Sequence, residues 1–489
     1  DIEPYYTTTI NDYISEDNST NPFNGLTAPE YILDILQTTD RLLVQSNTGS
    51  GKTWMLPVLY NSFWMFENLT NVKCIIIAQP TTLLVKQTYN DLVERGIDAD
   101  VIDGQNNDID YIFNSGTSIV VVTWDSLIKI SFAVKDSIMI IDETGQFPTD
   151  ADYRPEAINN CFDLTEYAAK VLYLSATPNY IHCSNLEIEI DKYLFDFALL
   201  EIKQRNKQKL TFHPKVITRK QIPDLQRWIE MDHPAIEGKN LIKMDHVQML
   251  EAYAEDTNAT IISSQKKEHN VNNPDYNSLV ETGKTATDID TILTTSAMQS
   301  GFSIKEKIDS VNIIEPTNAA DTLQNVTRPR KAANPELDVY TYYIGLYEDI
   351  ISEWNDYTNP TGYNIKEDYK KQILLAHKIA ELINGQPDFD VTKSVLKSGD
   401  NYLTRHSTIK GGYTINHAAI SSQIERNKQK ELGYVGMLKE IQLYRPDVVI
   451  MPPMAITTED DIKTRAALEL SQKERELIIK KVKQIAGED

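Results

Sequence analysis

RLLVQSNTGSGKT, from Arg41 to Thr53, is the stretch whose reading decides the architecture. It opens as a short apolar run of strand length and closes as a glycine-bearing loop ending in Gly-Lys-Thr, just ahead of a helical pattern. Phosphate oxygens are held by backbone N–H groups turned inward, and glycine lets a chain curl tightly enough to present them. Gly49 and Gly51 provide that curl, within a loop completed by Ser46, Asn47, Thr48 and Ser50. Lys52 is then placed to reach the β- and γ-phosphates of a nucleotide, and Thr53 to hold Mg2+. The general motif has Gly where this chain has Ser46.

Working outward, KCIIIAQ (73–79), TSIVVVTW (117–124), SIMIIDE (137–143) and KVLYLSAT (170–177) are apolar at nearly every position. Runs of that kind are strands buried on both faces, which predicts a parallel sheet between layers of helices. The segment TLLVKQTYNDLVERG (82–96) carries the helical period between two of them. After Pro178 the pattern loosens, and Glu201–Lys209 reads as a hinge or a surface strand pair. A second series follows in KNLIKM (239–244), TIISSQ (260–265), TILTTS (291–296), SVNIIEP (310–316) and LDVYTYYI (337–344); beyond Tyr347 only helical patterns are expected. The expected division is an acidic N-terminal extension (1–24), a first sheet domain (25–182), a linker (183–209), a second sheet domain (210–347) and a mainly helical C-terminal domain (348–489).

The 489 residues carry 48 Lys and Arg against 71 Asp and Glu, a net charge of −23. A protein that coats nucleic acid by neutralising phosphates is basic, so any such contact here is a local groove in an acidic molecule. Residues 1–40 hold eight acids and no Lys or Arg, whereas 366–445 hold 13 basic and 9 acidic residues. No apolar run approaches the ~18–20 residues of a membrane span, and the opening stretch lacks the pattern of a signal peptide. Three separated cysteines and scattered histidines offer neither a disulfide framework nor a zinc site. These readings predict a cytoplasmic protein without a membrane partner.

SIMIIDETG (137–145) ends an apolar strand in a pair of acids. Asp142 falls beside the metal, and Glu143 falls near the γ-phosphate, where it can orient and deprotonate water. LSATPN (174–179) has no chemistry by itself and in isolation is a turn.

Taken in order, SNTGSGKT, DETG and SAT resemble motifs I, II and III of the superfamily 2 helicases of the DExD/H-box type. The resemblance implies two tandem RecA-like domains, with ATP and Mg2+ in the cleft and nucleic acid across the top. Ser175 and Thr177 would couple hydrolysis to grip. AQPTTLLVKQ (78–87) is similar to motif Ia through Pro80 and Thr81, and VVTWDSL (121–127) to the next element through Thr123. TTSAMQSGFSI (294–304) resembles motif V, with Thr295 and Gly301 toward nucleic acid and Ser303 where many members carry Asp. TLQNVTRPRK (322–331) resembles motif VI, which implies that Gln324 and Arg328 face ATP and that Arg330, with Lys331 as the second choice, is the arginine finger.

Three departures stand out. Motif II has Gly145 where members carry Asp or His, which removes the usual link to motif III. LTAPEYILDIL (26–36) lacks the family's adenine-reading Gln and leaves Tyr31 as the residue to stack on a base. The compact Gln324-x3-Arg328-x-Arg330 spacing and Gly-Phe-Ser (301–303) look more like viral origin-binding and phage replication helicases than RNA DEAD-box enzymes.

The expected function is an ATP-dependent helicase or translocase acting in DNA replication or a related DNA transaction, in the host cytoplasm if phage or viral. Single-stranded or duplex DNA is favoured over RNA, with a protein partner for the helical C-terminus. Two alternatives stay open: a duplex-translocating ATPase of a restriction, packaging or remodelling machine, and a tethering protein with a vestigial ATPase. HSTIKGGYTIN (406–416) reads as a hairpin with Lys410 as a weaker phosphate candidate, and Glu459 to Ala486 as a charged packing or partner helix.

Overall fold

The computed structural model describes residues 6–10, 27–47, 49–52, 55–63, 72–104, 119–177, 198–205, 207–217, 238–255, 257–263, 270, 272–295, 303–357, 365–385 and 401–456. Eight strands build the first sheet: β1 (Tyr6–Ile10), β2 (Arg41–Ser46), β3 (Cys74–Gln79), β4 (Asp100–Ile102), β5 (Ile119–Thr123), β6 (Ser137–Ile141), β7 (Lys170–Ser175) and β8 (Ala198–Gln204). They lie in the order β1-β8-β2-β7-β6-β3-β5-β4, every pair parallel.

The apolar runs are continuous because both faces are covered, and successive side chains feed opposite cores. Ile75, Ile77, Val121, Ile138, Ile140, Leu172 and Leu174 enter one core with Ile32, Leu36, Leu59, Val85 and Leu92 of the helices Ala28–Thr38, Leu56–Phe63 and Thr82–Glu94. Their neighbours Ile76, Ala78, Val120, Val122, Met139, Ile141 and Val171 enter the other, with Trp124, Leu127, Ile158 and Leu164. The helix Ala28–Thr38 starts at a reciprocal box in which Thr27 and Glu30 cap each other's backbone N–H.

The second sheet comprises β9 (Lys209–Ile217), β10 (Asn240–Lys243), β11 (Ala259–Ile262), β12 (Thr291–Thr294), β13 (Ser310–Ile314), β14 (Glu336–Ile344) and two short strands given below. Its order is β11-β12-β10-β13-β14-β9, again parallel throughout. The fold is thus α/β with two parallel sheets, as the strand runs predict.

Three expectations are corrected. The supposed linker 183–209 contains β8, which lies inside the first sheet between β1 and β2. Its sequence ALLEIKQ hid this because charges at Glu201 and Lys203 break the apolar run near the end of the strand. The acidic N-terminal extension contributes β1, an edge strand whose Tyr6 to Ile10 run alongside Leu200 to Gln204. The C-terminal region holds the hairpin read at 406–416, as the antiparallel pair β15 (Thr404–Ser407) and β16 (Gly412–Ile415), but it is not otherwise wholly helical. In addition, β17 (Val449–Ile450) and β18 (Met454–Ile456) both pair with β9.

The described C-terminal residues also include the helices Tyr347–Asp356 and Ile365–Gly385 and the long helix His417–Tyr444. The long helix is interrupted at Gly433, with φ 59° and ψ −166°, a conformation open essentially to glycine alone. Before the break, Ala418, Ile420 and Ile424 pack into a core of the first sheet, with Tyr369 and Ile373 beside them. After it, Tyr434, Val435, Met437, Leu438 and Ile441 pack into the core of the second. One helix therefore straps the two sheets together, pinned by Asn159 Nδ2 donating to Asn416 Oδ1 at 2.9 Å and by Tyr434 stacked on Tyr343 at 4.6 Å. Lys410, weighed as a phosphate contact, is paired with Glu166 at 2.6 Å and Asp163 at 3.6 Å. The run 459–486 lies outside the described residues, and among those described no helix is long and apolar enough to cross a membrane.

Candidate functional site

The loop after β2 and the acids after β6 meet because parallel strands end on the same side of the sheet, where ligands of such folds gather. Ser46, Gln79 and Ser175 end β2, β3 and β7, and Asp142 follows β6. Lys52 is buried and its ammonium donates to the carbonyls of Ser46 at 3.0 Å and Asn47 at 3.2 Å, folding the side chain back over the loop. Burial lowers its pKa, with Glu143 and Asp142 opposing. The hydroxyls of Ser46 and Ser50 lie 2.6 Å apart, so serine at the first position joins the loop's own hydrogen bonding. Gly49 and Gly51 have φ of 77° and 90°, the left-handed backbone that the phosphate curl requires.

Asp142 is buried, and its two oxygens accept from Gln79 Nε2 at 3.1 Å and from the Glu143 N–H at 2.9 Å. Burial, then the charge of Glu143, pushes its carboxyl up to about 6. Glu143 sits at φ 56°, an uncommon conformation for a residue with a side chain and one that concentrates at functional sites. The sequence reading missed Gln79, although its place as the polar end of the apolar strand CIIIAQ was visible.

The second sheet supplies the opposite wall. The helix Ala319–Val326 is capped by Asn318, whose Oδ1 accepts from the Asp321 N–H at 2.8 Å, and it carries Gln324 near its end. Gln324 is buried; its Nε2 donates to Glu143 Oε2 at 3.4 Å, and its Oε1 accepts from Gln146 Nε2 at 2.8 Å. Arg330 reaches the phosphate loop so closely that a Cβ on Gly49 would lie 2.8 Å from its Nη1. Its other nitrogen donates to Ser303, so the serine that stands where many of the resembled helicases carry Asp holds the arginine.

Arg328 is 5% exposed, and its Nε and Nη2 have no hydrogen-bond partner. Burial lowers its pKa to about 10 against the pull of Glu143. A buried guanidinium with idle donors is a costly arrangement unless an anion completes it. Together with the loop glycines and Lys52, that makes the cleft fit a nucleotide triphosphate. Asp142 is the described residue suited to Mg2+. Among the described residues no group of three His, Cys, Asp or Glu could hold a metal ion. Thr48 and Thr53 lie outside the described residues.

Motif III sits directly against motif II. Thr144 Oγ1 donates to the Leu174 carbonyl at 3.3 Å, and the Thr177 N–H donates to Ser175 Oγ at 3.1 Å. A Cβ at Gly145 would lie 2.7 Å from Ser175 Oγ and from both oxygens of Thr177. The link expected to be absent is therefore made by close backbone approach. Tyr31 is corrected as the base-stacking residue: it is 5% exposed, within the first sheet's core and edge-on to Tyr6 at 6.2 Å.

Of the nucleic-acid candidates, Thr81 and Thr123 both cap helical segments. Their hydroxyls accept from the Leu84 N–H at 3.3 Å and the Ser126 N–H at 3.2 Å, which fixes both at helix starts. Pro80 is buried, with its carbonyl accepting from Arg154. Thr295 is wholly buried, and Gly301 lies outside the described residues. Leu83 packs on the core of the second sheet, and Gln87 Nε2 donates to the Val280 carbonyl at 3.4 Å, so the motif Ia helix spans the cleft.

Residues 29–185 match the family model for DEAD/DEAH box helicases. No curated protein matches the chain. Among solved structures, the helicase Lhr of Mycobacterium smegmatis bound to ssDNA and AMP-PNP is 15% identical over 80% of this chain, with a TM-score of 0.46. The chain spans 58% of the length of that Lhr structure. The DEAD-box helicase Mss116 bound to ssRNA is 14% identical, covering 84% of this chain and 88% of its own, with a TM-score of 0.46. Dbp5 of S. cerevisiae bound to RNA and ADP BeF3 is 14% identical, covering 65% and 83%, with a TM-score of 0.45.

Proposed function

We propose, from the match of residues 29–185 to the DEAD/DEAH box helicase model, that this chain is an NTP-hydrolysing motor of that type, driven by ATP and acting on nucleic acid, with DNA as its track. The observation that carries this reading is the meeting, in one cleft, of Lys52, Asp142 and Glu143 from the first sheet with Gln324, Arg328 and Arg330 from the second. ATP with Mg2+ would supply the scissile γ-phosphoryl group. Lys52 and the loop N–H groups bind the phosphates, Asp142 holds the metal, and Glu143 accepts a proton from the attacking water. Arg328 and Arg330 stabilise the charge that grows on the transferring group, and both come from the second sheet. Hydrolysis therefore requires the sheets to be together, and release of product lets them part.

Ser175 and Thr177 carry the state of motif II to the grip on the strand through the contact at Gly145. Neutral contacts from Thr81 and Thr123 at helix starts suit an acidic protein, since such donors hold phosphates without net positive charge. The choice of DNA, and of replication or a related transaction in a phage or viral setting, rests on the Gln324–Arg328–Arg330 spacing and on Gly-Phe-Ser in motif V.

The test is displacement of a strand from a tailed DNA duplex beside displacement of a third strand from a triplex, each with Lys52→Ala. ATP-dependent release from the duplex supports a helicase. Triplex release alone would favour the duplex-translocating alternative, and neither would overturn the motor reading.

A further inference from the structure

Motif II here ends in Gly145, which has no side chain to reach across the cleft, and the next residue reaches instead. Gln146 closes the 3-10 turn Thr144–Gln146. Its N–H donates to the Glu143 carbonyl at 2.9 Å, and its carbonyl accepts from Thr149 Oγ1 at 3.0 Å, so its backbone is fixed on both sides. Its side chain is 3% exposed and donates from Nε2 to Gln324 Oε1 at 2.8 Å. Gln324, 1% exposed, then donates from Nε2 to Glu143 Oε2 at 3.4 Å. Two buried glutamines and the half-buried Glu143 thus form a chain that leaves the first sheet, crosses to the second and returns.

The direction of that chain matters. A primary amide has a donor end and an acceptor end, and a carboxylate only accepts. With Gln146 offering N–H, Gln324 turns its oxygen toward Gln146 and its nitrogen toward Glu143. The reversed amide would set two N–H groups against each other at one end and an oxygen against a carboxylate at the other. We infer that Gln146 is a positioning residue for hydrolysis: it selects the orientation in which Gln324 donates to Glu143, so the general base is oriented only when the second sheet has arrived. This rests on the motor reading above, and it gives that reading a closure sensor at a position outside the matched motifs.

The test compares steady-state ATP hydrolysis, binding of a fluorescent ATP analogue and thermal melting in wild type, Q146M, Q146E, Q324M and the Q146M/Q324M double variant. Methionine conserves volume and removes the donor, and loss of one buried hydrogen bond predicts a kcat lower by about tenfold. KM for ATP should shift by less than about threefold if the effect lies in the transition state rather than in binding. Q146E, an acceptor of the same shape, should reverse Gln324 and fall below Q146M. In the Q324M background, Gln146→Met should cost less than about twofold further, because the chain is already cut.

Lys52-dependent hydrolysis in wild type with Q146M or Q146E within twofold of it would overturn the relay alone. So would single effects that multiply in the double variant. Wild type without Lys52-dependent hydrolysis would overturn the motor reading and the relay with it.

Discussion

Placing at Gly145 the Asp that the resembled helicases carry in motif II should damage this protein. Gly145 is not among the residues with positive φ, so its backbone would accept a side chain; the obstacle is space. A Cβ there would lie 2.7 Å from Ser175 Oγ, Thr177 Oγ1 and the Thr177 carbonyl, below the 3.0 Å that real Cβ contacts essentially never breach. Two of those neighbours are short side chains buried in the cleft and the third is backbone, so relief requires motif III to move. Overpacking of this kind costs about 1–3 kcal/mol. Aspartate adds a buried charge two residues from Glu143 and three from Asp142, which costs several kcal/mol more before any new hydrogen bonds. Gly145→Ala should therefore lose about 1–3 kcal/mol of stability, and Gly145→Asp more than about 3. Both should lose hydrolysis beyond what unfolding explains, because Ser175 and Thr177 have been displaced. Thermal melting with ATP hydrolysis, read at a temperature where each variant is folded, checks this. A Gly145→Asp protein that melts and hydrolyses like wild type would refute the argument.

Other outcomes follow from the same geometry. Arg328→Met removes a buried guanidinium with two idle donors, so nucleotide-free protein should melt at or above the wild-type temperature. Single-turnover hydrolysis in that variant should fall by about a thousandfold or more, the scale of a lost transition-state arginine. Gly433→Ala forces φ 59°, ψ −166° on a residue with Cβ. It should cost about 1–3 kcal/mol, read by urea unfolding. Burial, then Lys410 and Arg405, lowers the pKa of His417 to about 3. The unfolded chain, with an imidazole near the usual ~6.5, binds the extra proton first. Stability at this site should therefore hold above pH 6.5 and fall progressively from there toward pH 3. His417→Phe, which keeps a ring against Phe162 at 4.1 Å, should flatten that loss between urea midpoints at pH 7 and pH 5.

The sheets were legible where strands are buried on both faces, because β3, β5 and β6 admit almost nothing polar. β8 and β1 escaped notice for the opposite reason: one ends in charges, and the other is a threonine-rich edge strand whose partner lies nearly 200 residues away in sequence. Lys52, Asp142 and Glu143 were legible as a phosphate loop and an acid pair at a strand end, and Gln324, Arg328 and Arg330 only through the resemblance to motif VI; the structure brings them to one cleft. Their partners were not: Gln79 and Ser303 stand at visible places in the sequence, but the contacts that they and Gln146 make join elements distant in sequence, and no local pattern shows those pairings. Tyr31 misled because an aromatic near a nucleotide loop suits base stacking equally well until burial shows it in the core. The strap formed by His417–Tyr444 was hidden because each half is apolar toward a different sheet, which blurs the helical stripe.

The most direct test of the central claim is steady-state ATP hydrolysis by the full chain alone and with single-stranded DNA, duplex DNA or RNA, beside Lys52→Ala and Glu143→Gln. The account predicts hydrolysis stimulated most by DNA and abolished in both variants. A negligible rate in every condition, or a rate indifferent to Lys52 and Glu143, would contradict it.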